Sequence, residues 1–189
     1  MATAIILDFA GGTAEQYDQV QAEMDLGGKL PGGALFHAAG PTDDGWRVVD
    51  VWEDMGRFQQ FAEEHIGPKT QAVGLPEPNV QTVEVDELFD ERNGGDGGIS
   101  LVQIVRLDGM TKETFEANDA LIRENKEAPD GCMFHVNGWT DTGWLVADAW
   151  TSRDARDAFI SGKVMPAMQQ TGTPPPVIED LDIHNTLSA

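Results

Sequence analysis

The chain has 189 residues, with 33 acidic against 12 basic side chains and a formal net charge of −21. A surface this acidic has little with which to neutralise phosphates, which excludes nucleic acid as a partner and disfavours anionic membrane surfaces. No apolar run approaches the roughly 20 residues of a membrane span. The first ten residues lack the pattern of a signal peptide, and the one cysteine, Cys132, excludes an internal disulfide, so a cytoplasmic protein is expected.

Ala4-Ile-Ile-Leu-Asp-Phe-Ala10 opens the chain as an apolar run of strand length. Thr13, with Gln16 three residues on, predicts a capped helix that runs to about Leu26 and stops at Gly27-Gly28, with Tyr17, Val20 and Met24 on its buried stripe. Ala34–Ala39 reads as a second strand and Trp46–Trp52 as a third. The dense turn chemistry of Gly40–Gly45 joins them into a hairpin. Asp54 predicts the cap of a second helix carrying Phe58, Phe61 and Ile66 at helical spacing, interrupted by Pro68, with a short turn of helix continuing to Gly74. The alternating run Val80–Leu88 supplies a fourth strand.

The same order then returns: a strand near Leu101–Leu107, a helix from Thr111 to about Lys126, a hairpin over Cys132–Trp150, a helix from Ser152 and a last strand over Val177–Leu187. Shifted by 98 positions, the chain lies over itself without a gap, and between Gly33 and Pro78 by count 17 of 46 positions are identical. These include Phe36-His37 on Phe134-His135, Trp46 on Trp144, Asp50 on Asp148 and Trp52 on Trp150. Two copies at so long a period indicate a duplicated domain and no solenoid. The division expected is a first unit over 1–90, a glycine-rich linker over 91–98 and a second unit over 99–189. Strand, helix, strand, strand, helix, strand is the βαββαβ order of the ferredoxin-like α+β fold, a four-stranded antiparallel sheet with both helices on one face. The third strand carries apolar side chains on both faces, so its second face needs a cover. The sheet of the other copy is the expected cover.

Gly33-Ala-Leu-Phe-His37, Asp44-Gly-Trp-Arg-Val-Val-Asp-Val-Trp-Glu53, Phe58, Phe61 and Gly67-Pro68, with their repeat, resemble the small antibiotic biosynthesis monooxygenase-like proteins of the dimeric α/β-barrel superfamily. The resemblance covers nearly the whole chain, once in each half. It implies an intramolecular dimeric α/β barrel, a pseudo-dimer within one chain, with a homodimer of the whole chain as a further option. The superfamily includes cofactor-independent oxygenases of phenols and quinols, polyketide cyclases, lactone isomerases, haem-degrading enzymes and ligand sensors, and fold alone does not choose among them.

His37 and His135 each lie mid-strand among apolar neighbours, where an imidazole can act as a general base near neutral pH. The alternative is a buried histidine satisfied by a carbonyl, or by Asp50 across the hairpin. Asp50 and Asp148 share a strand face with tryptophans, where desolvation favours a base and hydrogen bonding favours an orienting role. The resemblance adds Trp52 and Trp150 as walls of an aromatic pocket and His65 at its mouth; Phe36 and Phe134 complete the expected substrate-binding set. Cys132 reads as a small core residue. The copies differ where Ala39 becomes Asn137, Arg47 becomes Leu145 and His65 becomes Lys163, so one pocket can work while the other supports it.

No metal site is expected, because the four histidines form no pairs at ligand spacing. A haem would have to use His37, His65 or His135 as its axial ligand. Nucleotide loops and a G-x-S-x-G elbow are absent. The expected function is a cofactor-independent monooxygenase or cyclase of a small hydrophobic, aromatic or polyketide-like molecule, started by His/Asp-assisted deprotonation in a Trp-lined pocket. The alternative is a non-catalytic protein of the same fold that binds a small ligand or haem.

Overall fold

The structure is a computed structural model, and it describes residues 1–123 and 126–188. The expected end of the second copy's first helix, near Lys126, falls partly outside the described residues. Two compact units emerge. Unit 1 comprises Met1–Glu84, Gly94–Asp96 and Leu181–Ala189; unit 2 comprises Val85–Asn93 and Gly97–Asp180. The repeat and the units therefore have different borders. The second half of the first copy's last strand counts with unit 2, and the end of the second copy counts with unit 1.

Unit 1 is built from β1 (Thr3–Ala10), α1 (Ala14–Met24), β2 (Ala34–Thr42), β3 (Gly45–Trp52), α2 (Met55–Phe61), α3 (Gly67–Ala72) and the start of β4 (Asn79–Asp90). Its strand order is β4-β1-β3-β2, with the short β9 (Asn185–Thr186) beside β2, and every pairing is antiparallel. Thr13 caps α1 in a capping box with Gln16. The helix ends at Met24, two residues short of expectation, because Asp25 turns left-handed and its N–H bonds the Gln21 carbonyl. Pro68 does not break the second helix. A π-helical turn, Ala62–Ile66, joins α2 to α3. Its wider spacing accommodates a residue that lacks an N–H and whose ring would strike the carbonyl four residues back.

Unit 2 repeats the plan with β5 (Leu101–Asp108), α4 (Lys112–Ile122), β6 (Cys132–Thr140), β7 (Gly143–Trp150), α5 (Arg153–Phe159), a π-helical turn at Ile160–Val164, α6 (Met165–Thr171) and β8 (Val177–Asp182). Its order is β8-β5-β7-β6, with the end of β4 beside β6. Both units thus have the 4-1-3-2 strand order of the ferredoxin-like fold. Val177–Leu187 was expected as one strand and forms two, since the chain leaves β5 after Asp182 and β9 then joins β2. Gly40 makes room for this return, for a Cβ there would run into the Asp182 carbonyl. The His184 N–H bonds the Ala39 carbonyl at 2.9 Å.

Strand alternation sends Ile5, Leu7, Phe9, Val48 and Trp52 of unit 1 into one core with Tyr17 of α1 and Leu75. In unit 2, Trp150, Leu101 and Cys132 form one cluster, and Trp144, Val146 and Met110 form another. No helix among the described residues is long and apolar enough to cross a membrane.

Candidate functional site

Each unit holds a buried histidine–aspartate pair fixed by the register of its hairpin. His37 lies opposite Asp50 across β2–β3, and His135 lies opposite Asp148 across β6–β7. Side chains on directly opposed residues share a face. His37 Nδ1 stands 2.7 Å from Asp50 Oδ1, and His135 Nδ1 stands 2.6 Å from Asp148 Oδ1, with all four residues buried. The carboxylate accepts, so Nδ1 carries the proton and Nε2 is left to receive one.

What faces Nε2 differs between the copies. In unit 1 it is Tyr17, whose hydroxyl oxygen lies 2.7 Å from His37 Nε2 and accepts from Asn185 Nδ2 at 2.8 Å. The phenolic proton therefore points at the imidazole, and the four groups form one chain: Asn185, Tyr17, His37, Asp50. Burial, with the nearby Asp50 charge, drives the Tyr17 hydroxyl well above the ordinary tyrosine range, against a smaller lowering from the Asn185 bond. Tyr17 therefore keeps its proton at rest.

In unit 2, Phe115 takes the place of Tyr17, and Asn137, two residues along the same strand, supplies its Nδ2 at 2.8 Å from His135 Nε2. Phe89 stacks on the imidazole with ring centres 4.9 Å apart. An amide satisfies Nε2 as a donor but cannot pass a proton on as a hydroxyl does.

Both pairs open onto apolar cavities. The one in unit 1, about 60 Å³, is lined by His37, Asp50 and Tyr17 with Trp52, Phe61 and Met24 among its apolar walls. The one in unit 2, about 120 Å³, is lined by His135 and Asp148 with Phe115, Phe159 and three methionines, and also by Gln103 and Arg123. Arg123 donates to Asp119 Oδ1 at 2.8 Å and to Glu87 Oε2 at 2.6 Å. Burial works to raise the Glu87 carboxyl, but the Arg123 bond and charge outweigh it and hold the group below the usual carboxylate range.

The other residues nominated from sequence are placed as follows. Trp52 lines the unit 1 cavity, braced by Phe58 and Phe61 at 5.8 and 5.3 Å between ring centres, and its Nε1 is buried without an acceptor among the described residues. Trp150 is fully buried, packs on Phe159 with ring centres 5.5 Å apart and does not line the unit 2 cavity. Phe36 and Phe134 line neither cavity, because each precedes its histidine in the strand and points to the opposite face. His65 sits on the outer side of a π-helical turn, half exposed, and lines neither cavity. Cys132 is buried, and its thiol is pushed up by burial and then by the Asp148 charge. Among the described residues no cluster of histidine, cysteine and carboxylate side chains could hold a metal ion.

Four residues of these sites were not singled out for chemistry: Tyr17, Asn185, Gln103 and Arg123. The repeat offered a signal at each of them, since Tyr17, Asn185, Gln103 and Arg123 fall on Phe115, Glu87, Ile5 and Asp25 of the other copy.

No known family model matches the sequence, and no curated protein matches it. Solved structures do. A candidate monooxygenase of Fusobacterium nucleatum superposes with a TM-score of 0.75 at 15% identity, over 99% of this chain and 94% of its own. A second, from Lactobacillus acidophilus, gives 0.72 at 13% over 99% and 95%. A ferredoxin-fold protein from Listeria monocytogenes related to antibiotic biosynthesis monooxygenases gives 0.51 at 11% over 97% and 94%. Identities this low carry the fold and no more. The chain is a tandem ferredoxin-like α+β protein that shares its fold with these solved structures.

Proposed function

We propose that the chain is an enzyme that removes a proton from a small hydrophobic molecule without a bound cofactor, and that unit 1 does the work. The observation that carries this reading is the buried chain Asn185–Tyr17–His37–Asp50 along the wall of an apolar cavity. A substrate C–H or O–H proton passes to the Tyr17 oxygen as the phenolic proton passes to His37 Nε2. The imidazolium so formed faces the Asp50 carboxylate, which stabilises it. The electron pair stays on the substrate, as an enolate, phenolate or carbanion, and then reacts with oxygen or closes a ring. The unpaired Trp52 N–H on the same wall is a donor for the developing oxyanion. A cavity of 60 Å³ takes a small carbonyl compound, and a larger ring enters by displacing the flexible Met24 side chain. The comparisons support a monooxygenase-type fold, and the aromatic or polyketide-like substrate is our extension from it.

Haem suits these residues less well. Both nitrogens of His37 and of His135 are engaged in hydrogen bonds, and each cavity is well below the roughly 300–1,000 Å³ of pockets that take ligands of drug size or more.

Deuterium exchange at the α-carbon of cyclohexanone in D₂O tests the first step whatever follows it. General acid–base catalysis is worth roughly 10²- to 10⁴-fold, so His37→Gln and Tyr17→Phe each lower the exchange rate by at least about 100-fold. His135→Gln changes it little. Exchange no faster than in buffer, or a His37→Gln variant as active as the parent, overturns the proposal.

A further inference from the structure

Unit 2 carries the larger cavity and the histidine that cannot relay a proton, so its polar groups need another purpose. Two of them each keep one nitrogen without an acceptor among the described residues. Gln103 is 1% exposed, and its Nε2 has no acceptor among the described residues. The Arg123 side chain is 5% exposed; Nε and Nη2 are spent on Asp119 and Glu87, and Nη1 has no acceptor. Both side chains line the cavity. Buried donors left unsatisfied are costly, and native structures rarely keep them without a use. The first copy shows that the fold does not require them, since Ile5 occupies the position of Gln103 and Asp25 that of Arg123.

We infer that the unit 2 cavity is a binding site of its own, for an uncharged single-ring molecule whose carbonyl-type oxygen accepts from Gln103 Nε2 and Arg123 Nη1. The neutrality follows from the charges around it. Arg123 is already matched by two carboxylates, and Asp148 adds a third to the cavity wall. An anionic ligand would meet a local excess of negative charge inside a chain of net charge −21. The size follows from the volume: 120 Å³, walled mostly by apolar side chains, approaches the roughly 150 Å³ that takes a benzene ring, so one six-membered ring is the upper limit. This deepens the proposed function by giving the second copy recognition where the first has proton transfer, and it rests on that reading only for the division of labour.

Methionine methyl groups report on each cavity separately, because Met110, Met165 and Met168 line the one in unit 2 and Met24 lines the one in unit 1. The full chain is labelled with ¹³C-methyl methionine and titrated with cyclohexanone, toluene or benzoate. Cyclohexanone is expected to shift the Met110, Met165 and Met168 signals at a half-saturating concentration at least tenfold below that for Met24. Toluene, which lacks the acceptor, and benzoate, which carries a charge, are each at least tenfold weaker at the same signals. Gln103→Ile raises the cyclohexanone half-saturation at least tenfold and leaves Met24 as it was.

Benzoate or toluene binding as well as cyclohexanone, Met24 saturating first, or a Gln103→Ile variant that binds unchanged would each overturn the inference. The two proposals fail separately. Methyl shifts in unit 2 with exchange that survives His37→Gln would sink the catalytic reading and keep the binding site. Exchange that depends on His37 with unmoved unit 2 methyls would do the reverse.

Discussion

Gln103→Ile should make the protein more stable, although it removes a buried polar residue. Gln103 lies on β5 directly opposite Asp148, as Ile5 lies on β1 directly opposite Asp50. The duplicated fold therefore already accommodates isoleucine beside an intact histidine–aspartate pair. In the parent, Gln103 Nε2 has lost its water and gained no acceptor. An unsatisfied buried donor costs about 1–3 kcal/mol, and a β-branched side chain suits the strand better than an amide. The substitution should then raise stability by about 1–3 kcal/mol. For a chain of this length that corresponds to a rise in Tm of about 2 to 12 °C. Calorimetry of the ligand-free protein, with urea unfolding alongside, measures both. A lower Tm would mean that Gln103 holds the fold together, and the argument that its donor is reserved for a ligand would collapse.

The chain has a single tyrosine, so a titration followed at 295 nm reports on Tyr17 alone. Phenolate should not form near the ordinary value of 10.0 and should appear only with alkaline unfolding, because burial disfavours the charged form. Asp180 accepts from Arg156 at 2.6 and 3.0 Å. Burial works to raise its carboxyl, but Arg156 and Arg153 hold it below 3.8. A folded-state value below the unfolded one gives stability above about pH 4 that is lost as pH falls through the folded value. Asp180→Asn should therefore cost about 1 kcal/mol at pH 7 and flatten the acid limb of a stability–pH curve, and an unchanged limb would refute this. Cys132, buried with its thiol pushed up by burial, should resist iodoacetamide at pH 8 until the protein unfolds. Rapid alkylation of the folded chain would show that the unit 2 core opens.

The fold was legible because its signals are local or repeated. Thr13 and Asp54, expected as caps, each accept from the backbone, and Thr111 and Ser152 do the same at the starts of the repeated helices. The histidine–aspartate pairs were half legible. Asp50 across the hairpin is one of the two partners the sequence offers a buried His37, beside a backbone carbonyl, and the structure pairs His37 with Asp50. What faces the other imidazole nitrogen could not be read. Tyr17 looked like one more apolar position on α1, and nothing in its neighbourhood tells that its hydroxyl meets a strand twenty residues on. Asn185 lies at the far end of the chain and counts with unit 1 only because the final segment returns to β2. The nomination of Phe36 and Phe134 ran against period-two alternation, which puts adjacent strand residues on opposite faces. That of His65 followed the resemblance onto a helix face that the π-helical turn leaves outside.

The central claim is that His37 presents an unprotonated Nε2, backed by an Nδ1 proton on Asp50. Long-range ¹H–¹⁵N NMR of the histidine rings reads this directly, with the His37→Gln variant assigning the signals. The account predicts the Nδ1–H tautomer for His37 at neutral pH. A neutral ring protonated on Nε2 would contradict it, for Tyr17 would then have no acceptor for its proton and the relay would not exist.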